Sequence, residues 1–235
     1  MSERNPGIPL RGLIAALALS TTTTGALAAT ATPFEFTFLF RDTVGGVTAF
    51  ANPGLDPGKP VPGAIVGSLV WGNENGTFEA AGLKGQDAGT DFALAATDWQ
   101  TGNAFTLNFS VAPGFVLDLD SITFAEQASG GSRGTGPNAW TLFVGNPGSL
   151  VDVGSGSGIP SAYTNQSITD ASLPDALTGD VAVRLFATGA TASTATWRID
   201  NFTVSGSLTA VPVPAAAWLF GSALLGLAGL RRRAG

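Results

Sequence analysis

Period-two alternation of apolar and polar residues is the feature that most limits what this chain can fold into. Phe34, Phe36, Phe38 and Phe40 alternate with Glu35, Thr37 and Leu39. Leu107, Phe109 and Val111 alternate with Thr106, Asn108 and Ser110. The pattern returns at Phe115, Leu117 and Leu119, at Ile122 and Phe124, at Trp140, Leu142 and Val144, and at Val181, Val183 and Leu185. A strand turns successive side chains to opposite faces, so these runs predict strands with one buried and one solvated face, as in antiparallel sheets. Residues 53–63 (four prolines), 128–138 (ASGGSRGTGPN) and 154–158 (GSGSG) read as loops, and residues 205–209 as a short linker. The expectation is an all-β domain, an antiparallel β-sandwich of jelly-roll-like type, with no internal repeat.

Charge and missing residue types narrow the chemistry. Residues 29–210 hold six basic and sixteen acidic side chains, a net charge near −10. Such a surface repels polyanions and argues against nucleic acid as a partner. The chain has no Cys and no His, so disulfides, thiol nucleophiles, imidazole bases and nearly all zinc sites are excluded. Oxygen ligands leave only a weak prospect of Ca²⁺, and no cofactor is expected.

Both ends read as targeting segments. Arg4 and Arg11 precede a short apolar run, GLIAALALS at 12–20, and Ala26 and Ala28 are the small residues a signal peptidase reads before Ala29. Residues 1–28 are the expected signal peptide, 29–208 the ectodomain and 209–235 a C-terminal sorting signal. In that tail Val211-Pro212-Val213-Pro214-Ala215 enters as an extended segment, because each proline fixes φ and disfavours helix before it. The 18 apolar residues 213–230 would span about 27 Å as a transmembrane helix. Arg231, Arg232 and Arg233 follow as the stop-transfer cluster and stay in the cytoplasm.

The last 25 residues, VPVPAAAWLFGSALLGLAGLRRRAG, resemble PEP-CTERM/VPLPA-CTERM sorting signals in the order motif, helix, Arg cluster. Val213 stands where Leu is usual, and the Glu of the PEP form is absent. The resemblance implies recognition by an exosortase-type membrane enzyme and an exported protein, held at the inner membrane with its ectodomain outside and then passed to the cell surface or extracellular matrix. Its expected role is structural or adhesive, with extracellular polysaccharide as a partner. The alternative is a carbohydrate-binding module exported by the same route. SITF at 121–124, TGPNAWTLFV at 135–144 and TWRIDN at 196–201 resemble ectodomains attached to such tails, which implies a jelly roll with the WRIDN strand last.

Trp197 and Ile199 share one phase of that last strand, whereas Phe202 and Val204 fall in the other, so a bulge near Asp200 or Asn201 is expected to restore the facing. The carboxylates Glu74, Glu79, Asp118, Asp120 and Glu126 are the candidates for catalysis, yet Asp118 and Asp120 alternate with Leu117 and Leu119 as solvated residues do. No catalytic residue is assigned and no enzyme is expected. Trp140 and Trp197 lie in strand phase and read as core. Trp71 and Trp99 border polar segments, GNENG at 72–76 and TDWQTGN at 97–103, which makes them the candidate glycan-stacking rings.

Overall fold

The computed structural model describes residues 29–41, 46–52, 54–78, 93–97, 99, 103–129 and 135–212. The expected signal-cleavage residues Ala26 and Ala28, the expected sorting-motif residues Val213, Pro214 and Ala215, the apolar run to Leu230 and Arg231–Arg233 lie outside them. The described strands are β1 (Ala31–Phe38), β2 (Ala49–Ala51), β3 (Ile65–Asn73), β4 (Leu94–Ala96), β5 (Ala104–Val111), β6 (Phe115–Ser129), β7 (Ala139–Asn146), β8 (Ser149–Ser157), β9 (Thr164–Thr169), β10 (Gly179–Thr188) and β11 (Thr196–Ala210). They form two antiparallel sheets. One runs β1-β11-β6-β9, with β4 also on β11; the other runs β2-β3-β5-β10-β7-β8. Only β2–β3 and β7–β8 join neighbours in one sheet, and every other connection crosses between sheets, a jelly-roll-like winding.

The alternation read from sequence places the core. Phe36, Phe38, Leu107, Phe109, Leu117, Leu119, Ile122, Phe124, Leu142, Val144, Val183 and Leu185 are all buried. Rings interlock between the sheets: Trp71 stands edge-on to Phe38, Phe40 and Phe202, and Phe105 stacks on Trp197 with centroids 5.7 Å apart. With no disulfide available, burial carries the fold, at about 1.5–3 kcal/mol for each fully buried large side chain.

The bulge expected in the last strand is present. The β11–β6 register shifts between Asp200 and Thr203, after which Phe202 and Val204 turn inward beside Trp197 and Ile199. A second shift, opposite Ser205 and Gly206, leaves Asp120 unpaired in β6, which explains the change of phase between Leu119 and Ile122.

Residues 205–209 are not a linker. They pair with β1 on one side and β6 on the other, and Leu208 is buried, so the sandwich continues to Ala210. Thr209 faces Ala31 and Ala210 faces Phe115, which brings the two ends of the described chain together. Nor are residues 154–157 a loop: they complete the edge strand β8, and Gly156 lets its backbone lie against a ring. A Cβ on Gly156 would stand 2.5 Å from Cε2 of Trp140, so only glycine fits beneath that indole.

Candidate functional site

Neither candidate glycan-stacking tryptophan is available to a ligand. Trp71 is 1% and Trp99 0% exposed. Trp71 shares the inward phase of β3 with Leu69. Trp99 stands edge-on to Phe105 and Trp197, and its Nε1 donates to the carbonyl of Ala96 at 2.6 Å. Glu74 and Asn75 beyond Trp71 are exposed, whereas Asn73 and Asn103 are buried with the indoles. Ala29 is exposed at the start of the described chain; Val211 and Pro212 are exposed at its end, where the Val211 N–H donates to the Gly114 carbonyl at 2.8 Å.

The candidate carboxylates are dispersed. Asp118 and Asp120 point away from the core, and Asp118 Oδ1 accepts the Ala176 N–H at 2.8 Å. Glu79 lies outside the described residues. Glu126 is 1% exposed within the core. Its Oε1 accepts Trp140 Nε1 at 2.9 Å and Gln166 Nε2 at 2.8 Å, and its Oε2 accepts Trp197 Nε1 at 3.3 Å. Burial raises its pKa, opposed by these hydrogen bonds. Among the described residues no group of three carboxylates gathers to hold a cation such as Ca²⁺.

Glu74 belongs to a different arrangement, on the outer face of the six-stranded sheet. Its Oε1 and Oε2 accept Arg184 Nε and Nη2 at 2.6 and 2.7 Å, and Thr106 Oγ1 donates to Oε1 at 3.0 Å. The Arg184 hydrogen bond holds Glu74 below its ordinary pKa despite partial burial, and the same bond raises Arg184. Such a fork fixes the guanidinium plane. Arg184 lies over the Phe186 ring, its Cζ 5.1 Å from the centroid.

Register extends this arrangement across five strands. Asp152, Phe143, Arg184, Thr106 and Gly72 lie directly opposite one another on β8, β7, β10, β5 and β3. Phe143 and Phe186 sit on the outward phase, between the buried pairs Leu142/Val144 and Leu185/Ala187. Both are half-buried, and neither packs on the hydrophobic core. Phe186 is a diagonal neighbour of Phe143, a spacing of about 7–8 Å. Small residues, Ala104, Gly145 and Ala182, floor the face around them. Further along β10 a shallow depression of about 220 Å³ is lined by Ser68, Val70, Asn108, Ser110 and Asp180. The face is thus a strip with two rings and a clamped guanidinium at one end and amide and hydroxyl groups at the other. The sequence signal for it was an aromatic residue on the solvent phase of an alternating strand.

No protein-family model matches the chain, and no curated protein matches it. Among solved structures it overlaps the CBM22-1 xylan-binding domain of Paenibacillus barcinonensis Xyn10C, at 10% identity over 80% of this chain and 99% of that one, with a TM-score of 0.37. It overlaps the family 11 carbohydrate-binding module of Clostridium thermocellum at 13% identity over 69% and 96%, TM-score 0.32. It overlaps TmCBM61, solved with β-1,4-galactotriose, at 14% identity over 51% and 73%, TM-score 0.34. These overlaps are too loose to carry a function from those proteins to this chain.

Proposed function

We propose that the chain is an exported carbohydrate-binding module whose ligand lies across Phe143, Arg184 and Phe186 on the outer face of the six-stranded sheet. The observation that carries this reading is a pair of partly exposed rings outside the core, beside a guanidinium already neutralised by its own carboxylate. A pyranose has a C–H face that desolvates an aromatic ring and hydroxyls that bond to a polar rim. Arg184 uses two of its five N–H donors on Glu74, and the other three have no partner among the described residues. Asp152 and Asp180 border the strip and disfavour an anionic sugar, so the ligand class is a neutral polysaccharide.

The leader and the Pro-containing tail support delivery by signal peptidase and an exosortase-type enzyme to the cell surface or matrix, where binding serves a structural or adhesive role. Native gels cast with xylan, β-1,4-galactan or mixed-linked β-glucan test the binding: at least one is expected to retard the protein. Replacing both Phe143 and Phe186 by Ala is expected to weaken that retardation about tenfold or more, at about 1 kcal/mol per ring. Undiminished retardation of that variant rules out the strip.

A further inference from the structure

The opposite face of the sandwich carries a depression of about 410 Å³ lined mainly by Thr123, Asn165, Ser167, Asn201 and Thr203; Phe124 also borders it, but its ring is buried in the core against Trp140 and Phe202. Its chemistry differs from the aromatic strip. Thr37, Thr203, Thr123 and Ser167 stand in register across β1, β11, β6 and β9, a row of hydroxyls spanning the five-stranded sheet. Ser205, Ser121 and Thr169 form the next row, beside Glu35. Part of this lattice is closed on itself, with Thr37 Oγ1 2.8 Å from Thr203 Oγ1 and Ser121 Oγ 2.8 Å from Ser205 Oγ. Thr123, Asn165 and Ser167 instead have side chains with no hydrogen-bond partner among the described residues. No charged side chain lines the depression.

The β11 bulge opens into it. Asn201 holds φ at +49°, in the left-handed region, and its N–H donates at 2.7 Å to Oδ1 of Asp200, which is 0% exposed. A bulge re-aims the side chains around it, and a residue kept at positive φ persists only where its surroundings fix it. Here the fixed residue lines the depression, beside unpartnered hydroxyl and amide groups.

We infer that this depression is a second site for neutral glycan, held by hydroxyl and amide hydrogen bonds without an aromatic ring, and that the protein bridges two polysaccharide chains. The inference rests on the proposed binding at Phe143, Arg184 and Phe186. The two sites lie on outer faces of sheets that pack about 10 Å apart. They look in opposite directions, so one short glycan reaches only one of them. Two sites that engage different chains cross-link them.

The test uses the full chain in lipid nanodiscs, one chain per disc, with xylan, β-1,4-galactan and mixed-linked β-glucan and their hexasaccharides as probes. Thr123→Val with Ser167→Ala removes groove hydroxyls at surface positions; Phe143→Ala with Phe186→Ala removes the rings. Calorimetry with a hexasaccharide is expected to give two sites on the parent chain and one on each double variant. Polysaccharide solutions are expected to gel or turn turbid with the parent alone. One site on the parent, unaffected by the Thr123/Ser167 changes, overturns the second site and leaves the ring site standing. All binding lost with the Thr123/Ser167 changes and none with the Phe143/Phe186 changes overturns the ring site and the bridging together. No binding to any probe overturns both proposals.

Discussion

Trp140 donates its indole N–H at 2.9 Å to Glu126, a carboxylate 1% exposed between the sheets. Trp197 approaches the other oxygen, and Gln166 shares the first. The carboxyl therefore ties β6, β7, β9 and β11 together through N–H groups that have no other protein acceptor in the described structure. Glu126→Ala is expected to strand two indole donors and an amide and to destabilise the fold by about 3 kcal/mol, since each buried unsatisfied group costs about 1–3 kcal/mol. Glu126→Gln keeps an acceptor for Trp140 and Gln166 and is expected to cost less. Urea melts of the two variants check the order; equal stability of Glu126→Ala and the parent would remove the carboxyl from the architecture.

The same residue sets a pH dependence. Burial raises its folded-state pKa above the ordinary 4.5. The native state then holds this proton more tightly than the unfolded chain, so the contribution is largest below the unfolded pKa and is lost as pH rises through the folded one. The stability of the parent relative to Glu126→Gln should fall as pH increases from about 4.5. A flat difference between pH 4 and pH 8 contradicts the sign.

Glu74 behaves oppositely. Its pKa is lowered, chiefly by the hydrogen bond from Arg184, so its contribution is present above the unfolded pKa and is lost as pH falls through the depressed one. The clamp on the aromatic strip should therefore survive across neutral pH and open only in acid. Glycan retardation is expected to be constant from pH 6 to pH 8 and to drop in acid; Glu74→Gln should weaken it at pH 7 by freeing the guanidinium. Retardation by Glu74→Gln equal to the parent at pH 7 would mean the fork does not position Arg184 for ligand.

Gly156 allows a direct test of packing at the sheet edge. An alanine Cβ would lie 2.5 Å from Trp140 Cε2 and Nε1, and the indole is held by Glu126. Gly156→Ala is expected to destabilise by about 1–3 kcal/mol through overpacking. A Cβ on Gly63 would meet nothing within 4 Å, and the backbone there has no positive φ, so Gly63→Ala serves as a neutral control in the same thermal melts.

Targeting is tested on exported material. The mature chain should begin at Ala29, and cells lacking the exosortase-type enzyme should retain a C-terminal peptide that ends in Gly235. Mass spectrometry of both ends decides this; an intact Arg231–Arg233 end on surface protein from normal cells leaves the tail as a plain anchor.

Strands that face the core along most of their length were readable in the sequence. β1, β5, β6, β7 and β10 each bury every second side chain against the other sheet, so their pattern survives in the residues themselves. The edge strands β8 and β9 bury too little to leave it, unlike the edge strand β1 with its row of phenylalanines. Ile168 is the buried side chain of β9, and Val153 that of β8, where Gly156 is demanded by Trp140 and Gly154 lies against Ile168 rather than marking a turn. The bulge in β11 was visible because it puts Phe202 and Val204 in the opposite phase from Trp197 and Ile199. Trp71 misled because exposure follows strand phase and not the polarity of the flanking turn, and Leu69 already marked its inward phase; Trp99 lies between strands and is buried by its packing on Phe105 and Trp197, which no local pattern shows. The aromatic strip comes from residues on β7 and β10 about forty positions apart, and only their cross-strand register brings them together.

Thr209 lies opposite Ala31, and Ala210 opposite Phe115, where the chain leaves the sandwich towards its tail. A molecule tethered by that tail and holding glycan on its faces feels tension along β11. That strand has β6 on one side and β1 and β4 on the other. A pull on its C-terminal end runs lengthwise to these ladders, so their hydrogen bonds bear the load together instead of opening one after another. In the proposed tethered state β11 would thus also be the mechanical element, placed where force would enter and flanked on both sides against being peeled away.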